Sequence, residues 1–407
     1  MSPLLAVAEE LREIDLNVEF LWIGTKDGPE KILAKENKIP FKSIAAGKLR
    51  RYFSLSNFLD LFKIKIGFFQ SLFILRKFKP DVFVSAGAFV SVPAAIAAYI
   101  LKIPILIHQQ DVITGLANKI MSFLAKRITV SLDISLGDFQ ENKTEIVGNP
   151  VRSFVFLGNK EKVFQKFNLE KDLPIMLVMG GGTGAKVINE MVIKSLPELV
   201  KFCQIIHLTG RNKEVAHESA RLSRFWRALS CATPRDFERT LSCANPQHNE
   251  NARYHQIEFA TSEIPDFYAA ADLVISRAGM SSLSEICALG KPSIIIPIPK
   301  SHQEKNAEYF ASRGAVKIFK QQSPQFVIPN SFRNLQTLKP RGPSRSGQTG
   351  LGQVQGDNVV ENFVNLVKEL LFNPSEREKL SENAKKIMSR DAGQRLAKII
   401  KNLSKKI

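Results

Sequence analysis

The sequence predicts an α/β protein of two Rossmann-like, doubly wound domains, and three observations carry that prediction. Short β-branched apolar runs alternate with amphipathic helical stretches along most of the 407 residues, the rhythm of parallel strands joined by crossover helices. The length exceeds what one hydrophobic core usually supports. The strand–turn–helix grammar also restarts at Pro174, after the breakers Gly148, Asn149 and Pro150. The expected division is residues 1–150, residues 151–390 and a closing basic helix over 391–407, which crosses back to the first domain.

The chain begins with an amphipathic helix, Pro3 to Ile14, with Leu4, Leu5, Val7, Ala8 and Leu11 on one side. A strand at Val18 to Ile23, a helix at Asp27 to Asn37 and a strand at Phe41 to Ile44 follow. Starting on a helix is unusual, because a doubly wound domain opens with a strand whose following loop holds the ligand. Leu49 to Phe78 is apolar and aromatic almost all round, interleaved with Arg50, Arg51, Lys63, Lys65, Arg76 and Lys77. It reads either as an interfacial element on anionic lipid or as a core helix with a basic edge; a nucleic-acid patch fits less well.

Phe83 to Leu101 contains no charge and is long enough to raise a membrane span. Gly87 and Pro93 break it into a buried strand, a turn and a helix instead. Pro104 to Ile107 is the next strand, and His108 to Lys119 (HQQDVITGLANK) follows its C-terminal end, where open α/β sheets bind ligands. Gln110 and Asp111 are candidates to hydrogen-bond a sugar there, whereas His108 is better read as orienting the loop. Thr114 to Ala125 is a helix, Arg127 to Val130 a strand, and EIVGNPVR ends on Arg152, which either meets a phosphate across a cleft or is a plain surface arginine.

In the second half, strand Ile175 to Met179 enters GGGTG, which includes Thr183, and then helix Ala185 to Leu199 and strand Gln204 to Leu208. Glycines let backbone N–H groups approach a phosphate or sugar, but this turn is neither a dinucleotide fingerprint nor a P-loop. Residues 217–253 (Arg-rich, Lys-free) and 321–358 (Gly, Pro, Ser and Gln) break the style of the chain. They read as inserts or mistranslated frames and are expected to be poorly ordered.

The centre of the chain is DLVISRAGMSSLSEICALGKP, Asp272 to Pro292. A buried strand turns at Arg277 and Gly279 into a helix from Met280 to Leu289, stopped by Gly290 and Pro292. Ser281 and Ser282 sit at a helix start, where unpaired N–H groups attract anions, phosphate above all. Glu285, one turn in, suits paired ribose hydroxyls. The alternative is an ordinary capped helix with a surface glutamate. Strand Ser293 to Pro297, helix His302 to Arg313 (which offers Gln303 to the same cleft), strand Ala315 to Phe319 and helices Val359 to Asn373, Ser375 to Arg390 and Arg395 to Lys406 complete the pattern.

The net charge of +18 implies an acidic partner: nucleic acid, anionic lipid or a phosphorylated substrate. Cys203, Cys231, Cys243 and Cys287 show no C-x-x-C spacing, which implies a reducing compartment, no disulfide framework and no zinc site. No signal peptide is visible.

Together these motifs resemble a known family. SRAGMSSLSEICALGKPSIIIPIP followed by HQEKNA is similar to the nucleotide-sugar signature of GT-B glycosyltransferases, whose two Rossmann-like domains face across a cleft. HQQDVITGLANK, VGNPVR and GGGTGAKVIN resemble, in order, the H-E-Q-N-x-x-x-G-L-x-N-K, G-N-P-V-R and G-G-S-Q-G-A-x-x-x-N motifs of the MurG family within that class.

The resemblance implies GlcNAc transfer from UDP-GlcNAc to lipid I with inversion, giving lipid II at the cytoplasmic face of the bacterial cell membrane by a peripheral protein. It implies no cofactor, no metal and no nucleic acid. Carried over by position, Met280, Ser281, Ser282, Leu283, Ser284 and Glu285 hold the diphosphate, ribose and uracil side. Arg152 and Thr183 approach the phosphates, Gln303 the GlcNAc hydroxyls and Thr261 the uracil edge. Asp111 stands where the family usually has Asn, so its GlcNAc contact differs.

Leu49 to Phe78 then fits a membrane-docking surface. The family opens with a strand and a G-x-G-G-T-x-G-H loop carrying the favoured base. SPLLAVAEEL resembles the helix after that loop, so no catalytic base is assigned and weak turnover is expected. Another GT-B glycolipid synthase with a different UDP-sugar, or a degenerate membrane-associated binding protein, are the alternatives.

Overall fold

The computed structural model describes residues 2–28, 30–47, 55–180, 185–210, 253–320 and 350–404. The first unit begins with helix α1 (Ser2–Ile14), strand β1 (Trp22–Gly24), helix α2 (Glu30–Glu36) and strand β2 (Phe41–Ser43). Helix α3 (Leu55–Phe78), strand β3 (Phe83–Ser85), helix α4 (Ser91–Ile100), strand β4 (Ile105–Gln109), helix α5 (Leu116–Ser122), strand β5 (Arg127–Val130) and strand β6 (Thr144–Ile146) follow. The charge-free run thus divides into β3 and α4, with the turn at Gly87 in the left-handed region (φ 87°). A Cβ at Gly87 would also meet the Asn118 amide at 2.8 Å.

The N-terminal sheet is in two pieces. β3, β4, β5 and β6 pair in that order, all parallel, while among the described residues β1 pairs with β2 alone. β1 is shorter than the apolar pattern suggests because parallel pairing begins only where Trp22 donates to the Pro40 carbonyl (2.8 Å). Between the end strands β1 and β3 lies a cavity of about 760 Å³, lined by Val7, Leu11, Trp22, Ile23, Val84 and Ala94 among others.

The second unit comprises helix α6 (Lys160–Phe167), strand β7 (Ile175–Met179), helix α7 (Lys186–Leu199), strand β8 (Gln204–Leu208) and strand β9 (Tyr254–Ile257). It continues with helix α8 (Ile264–Ala270), strand β10 (Leu273–Ser276), helix α9 (Met280–Leu289), strand β11 (Ser293–Ile295), helix α10 (His302–Ser312) and strand β12 (Lys317–Ile318). Its sheet is wholly parallel in the order β12-β11-β10-β7-β8-β9. Every residue of β7, β8 and β10 is buried, as a sheet covered by helices on both faces requires. Helices α11 (Gly350–Phe372), α12 (Pro374–Ile387) and α13 (Ala392–Ser404) close the chain. Leu396, Ala397 and Ile400 of α13 pack with Val7 of α1 and Leu106 of β4, so the last helix lies on the first unit.

Of the two atypical segments, 217–252 and 321–349 lie outside the described residues. α11 starts at Gly350, so the last part of the second segment is helical rather than irregular.

Candidate donor site in the cleft

The C-terminal ends of β10 and β11 and of β4 and β6 meet in one cleft. β10 ends at Ser276, and the next three residues turn the chain into α9. Arg277 anchors this turn by donating from Nη1 to the carbonyls of Ile296 (3.0 Å) and Pro297 (3.3 Å). Gly279 is the N-cap; it is extended (φ −70°, ψ 132°) and no side chain caps the helix. Among the described residues a Cβ placed on Gly279 would meet nothing within 4 Å, so the helix start is open there. The positive end of the α9 dipole therefore faces the cleft.

Along α9 the predicted residues divide. Met280 and Leu283 are buried in the core; Met280 leaves only its backbone N–H to a ligand, whereas the Leu283 N–H donates to the Gly279 carbonyl (3.0 Å). Ser281 and Ser282 are half-buried. The Ser284 hydroxyl is taken up inside the protein: it donates to the Met280 carbonyl (2.7 Å) and accepts from Asn149 Nδ2 (2.8 Å). Glu285 is mostly covered, and its Oε2 accepts from the Tyr268 hydroxyl at 3.1 Å. Burial pushes its carboxyl up to about 7, against the opposing pull of the Tyr268 bond and of Arg152.

Arg152 pairs with Glu9 of α1 at 3.2 Å and lies over the Phe154 ring at 4.1 Å. Its charge reaches Glu285 across the cleft. Asp111 accepts from Asn306 Nδ2 at 2.9 Å. The Asn306 side chain also donates to the Ala278 carbonyl (3.2 Å) and accepts from Val112 N–H (3.0 Å), tying the β4 loop to the turn before α9. Gln303 lies in the first turn of α10, where its Oε1 accepts from Ile298 N–H at 3.3 Å. Thr261 is exposed in the turn before α8. Thr183 lies outside the described residues.

The β4 end holds His108, fully buried and hydrogen-bonded at both ring nitrogens: Nδ1 to Thr129 Oγ1 (3.0 Å), and Nε2 to Asn149 Oδ1 (3.1 Å) and Ser131 Oγ (3.2 Å). Burial pushes it down to about 4, so it stays neutral at physiological pH and is out of a substrate's reach. Tyr268, Asn149 and Asn306 are site residues that the sequence reading did not assign. Asn306 sits inside the quoted HQEKNA stretch and Asn149 between two breakers. Tyr268 had no signal beyond helical spacing.

Two parallel α/β units closing on a cleft at the C-terminal edges of their sheets, with an open helix start inside it, define the GT-B architecture. Residues 1–130 match the family model described as glycosyltransferase family 28 N-terminal domain, and residues 175–337 that described as its C-terminal domain. The chain is 35% identical over 375 residues to the UDP-N-acetylglucosamine–N-acetylmuramyl-(pentapeptide) pyrophosphoryl-undecaprenol N-acetylglucosamine transferase of Clostridium perfringens, covering 91% of this chain and 94% of the relative. It is 33% identical over 373 residues to the Bacillus cereus protein of that name numbered 2, covering 91% and 96%.

Among solved structures it resembles Acinetobacter baumannii MurG (TM-score 0.64, 22% identity, 98% and 95% coverage). It also resembles Neisseria meningitidis UDP-GlcNAc 2-epimerase bound to UDP-GlcNAc (TM-score 0.60, 14% identity, 100% and 96% coverage). The chain belongs to glycosyltransferase family 28, and within it to the MurG family.

Proposed function

We propose that this chain transfers GlcNAc from UDP-GlcNAc to lipid I, undecaprenyl-diphospho-MurNAc-pentapeptide, with inversion, to give lipid II. The observation that carries the reading is the uncapped start of α9, open at Gly279, with the Glu285 carboxyl one turn behind it. The backbone N–H groups of Met280, Ser281 and Ser282 receive the diphosphate. Glu285 accepts the ribose hydroxyls, Arg152 and Thr183 approach the phosphates, Gln303 and Asp111 face GlcNAc, and Thr261 borders the uracil.

In the reaction an acceptor hydroxyl attacks the anomeric carbon from the face opposite UDP. The bond to the diphosphate oxygen breaks, and the hydroxyl proton passes to a base. The helix dipole stabilises the charge that develops on the leaving diphosphate. His108 is not that base, since both its nitrogens are engaged and no surface of it reaches the cleft.

The acceptor's lipid tail calls for a membrane-facing surface, and α3 supplies one. Gly67, Ser71 and Leu75 face inward, whereas Phe62, Ile66, Phe69 and Phe73 form an exposed apolar stripe, with Phe73 72% exposed. Lys63, Lys65, Arg76 and Lys77 are exposed alongside. Such a face buries its aromatic rings among acyl chains while its cations meet anionic headgroups. Among the described residues no helix is long and apolar enough to cross a membrane. The test is incubation with radiolabelled UDP-GlcNAc and a lipid I analogue: labelled lipid II is expected, whereas label appearing only with another acceptor or another UDP-sugar would refute the assignment.

A further inference from the structure

One buried polar chain is left unused by the donor and acceptor readings, and it crosses from the first unit to the donor helix. Its hydrogen-bond directions are fixed from one end. The Ser284 hydroxyl has one proton and gives it to the Met280 carbonyl (2.7 Å). Ser284 Oγ must therefore accept from Asn149, which presents Nδ2 (2.8 Å). That turns Asn149 Oδ1 toward His108, and because an amide oxygen only accepts, His108 Nε2 carries the ring hydrogen (3.1 Å). Nδ1 is left as an acceptor 3.0 Å from Thr129 Oγ1, whose one proton the Ile107 carbonyl (3.3 Å) also competes for.

Ser284, Asn149, His108 and Thr129 are all buried. Asn149 follows Gly148, whose φ of 82° aims the turn after β6, and that turn is seated against α9. A half-satisfied buried amide is costly, so the chain holds only when all its members are in register.

We propose that Asn149, oriented by His108, is a positioning residue for the donor site: it fixes the first turn of α9 against the first unit. The proposal rests on α9 holding the donor. In it, the N–H groups at Met280 to Ser282 are aimed by a bond made 135 residues away in sequence, so donor affinity depends on how the two units are seated. The ring of His108 acts as a fixed donor and not as a titrating group. Charged groups beside this chain include Glu285, next to Ser284 on α9, and Arg152 after β6, which acts on Glu285.

The experiment combines calorimetric titration with UDP-GlcNAc, hydrogen exchange of the segment 279–289 and urea unfolding, on the full chain and its variants. Asn149→Ala and His108→Leu are expected to weaken UDP-GlcNAc about tenfold, as the loss of a buried hydrogen bond of about 1.4 kcal/mol would, and to speed exchange in the first turn of α9. His108→Gln, whose amide can still donate to Asn149, is expected to restore most of both. Ser284→Ala added to Asn149→Ala is expected to cost little more than Asn149→Ala alone. Variants that are less stable to urea yet keep wild-type affinity and exchange would reduce Asn149 to a structural residue and overturn the proposal. Failure of the unsubstituted chain to bind UDP-GlcNAc would refute the donor reading instead, and unchanged exchange in Asn149→Ala would overturn the positioning separately.

Discussion

Replacing Glu285 with glutamine is expected to make the protein more stable and, if Glu285 holds the proposed donor, to weaken UDP-GlcNAc binding. Burial raises the Glu285 carboxyl from 4.5 to about 7 in the folded chain. Between those values the unfolded chain gives up its proton first and the folded chain keeps it. Stability therefore falls as pH rises through this window, and the full cost is present above about pH 7. The interval, 7 − 4.5 = 2.5 units, corresponds to a ceiling of about 3 kcal/mol at about 1.36 kcal/mol per unit.

Glutamine keeps the shape and still accepts from Tyr268 but carries no charge to bury. Glu285→Gln is expected to resist urea better than wild type at about pH 8, by up to about 3 kcal/mol, with the advantage largely gone near the ordinary carboxyl value. UDP-GlcNAc binding should weaken at the same time, since the ionised oxygens proposed to accept two ribose hydroxyls are lost. An active site that stores instability for its ligand shows this opposition. Paired urea curves at the two pH values decide it. A Glu285→Gln protein no more stable than wild type at about pH 8, or one whose advantage is independent of pH, would refute the buried-carboxylate argument.

His207 is held neutral by burial, down to about 3. The unfolded chain takes up its proton near 6.5 and the folded chain does not, so stability is lost as pH falls below about 6.5; His207→Gln should flatten the urea midpoint between about pH 6.5 and pH 4 relative to wild type. Gly67→Ala would place a Cβ 2.1 Å from the Ala45 carbonyl oxygen and is expected to destabilise by about 1–3 kcal/mol in urea as α3 is pushed off its seat. Phe69→Ser with Phe73→Ser touches side chains 66% and 72% exposed. It should leave stability within about 0.5 kcal/mol yet weaken co-sedimentation with anionic vesicles at least about tenfold.

The parts of the fold legible in the sequence were those with a strong period and strong punctuation. α9 runs from Met280 to Leu289, as its apolar spacing and the left-handed Gly290 (φ 66°) dictate, and β7, β8 and β5 coincide with short runs built around Ile, Val and Leu. Short edge elements were less legible. β1 and β12 are set by where a neighbouring strand begins and not by their own composition. α5 starts at Leu116 and not at Thr114, because the Thr114 hydroxyl is turned toward Asp138.

In the cleft, the residue types that suit a nucleotide sugar could be named, but not their partners. Nothing local reveals that Ser284 is spent on Asn149, that Tyr268 steers Glu285, or that Asn306 joins Asp111 to the turn before α9. Those contacts join residues 17 to 195 positions apart; packing of the two units makes the Asn149 and Asp111 contacts, and packing within the second unit brings Tyr268 to Glu285.

The central claim, that the open start of α9 with Glu285 behind it is the UDP-GlcNAc site, is tested most directly by calorimetric titration of the full chain with UDP-GlcNAc, UDP-glucose and UDP-galactose, repeated on Glu285→Gln. Selective binding of UDP-GlcNAc that weakens in Glu285→Gln is the predicted result. Binding of another UDP-sugar as tightly as UDP-GlcNAc, or UDP-GlcNAc binding untouched by Glu285→Gln, would contradict it.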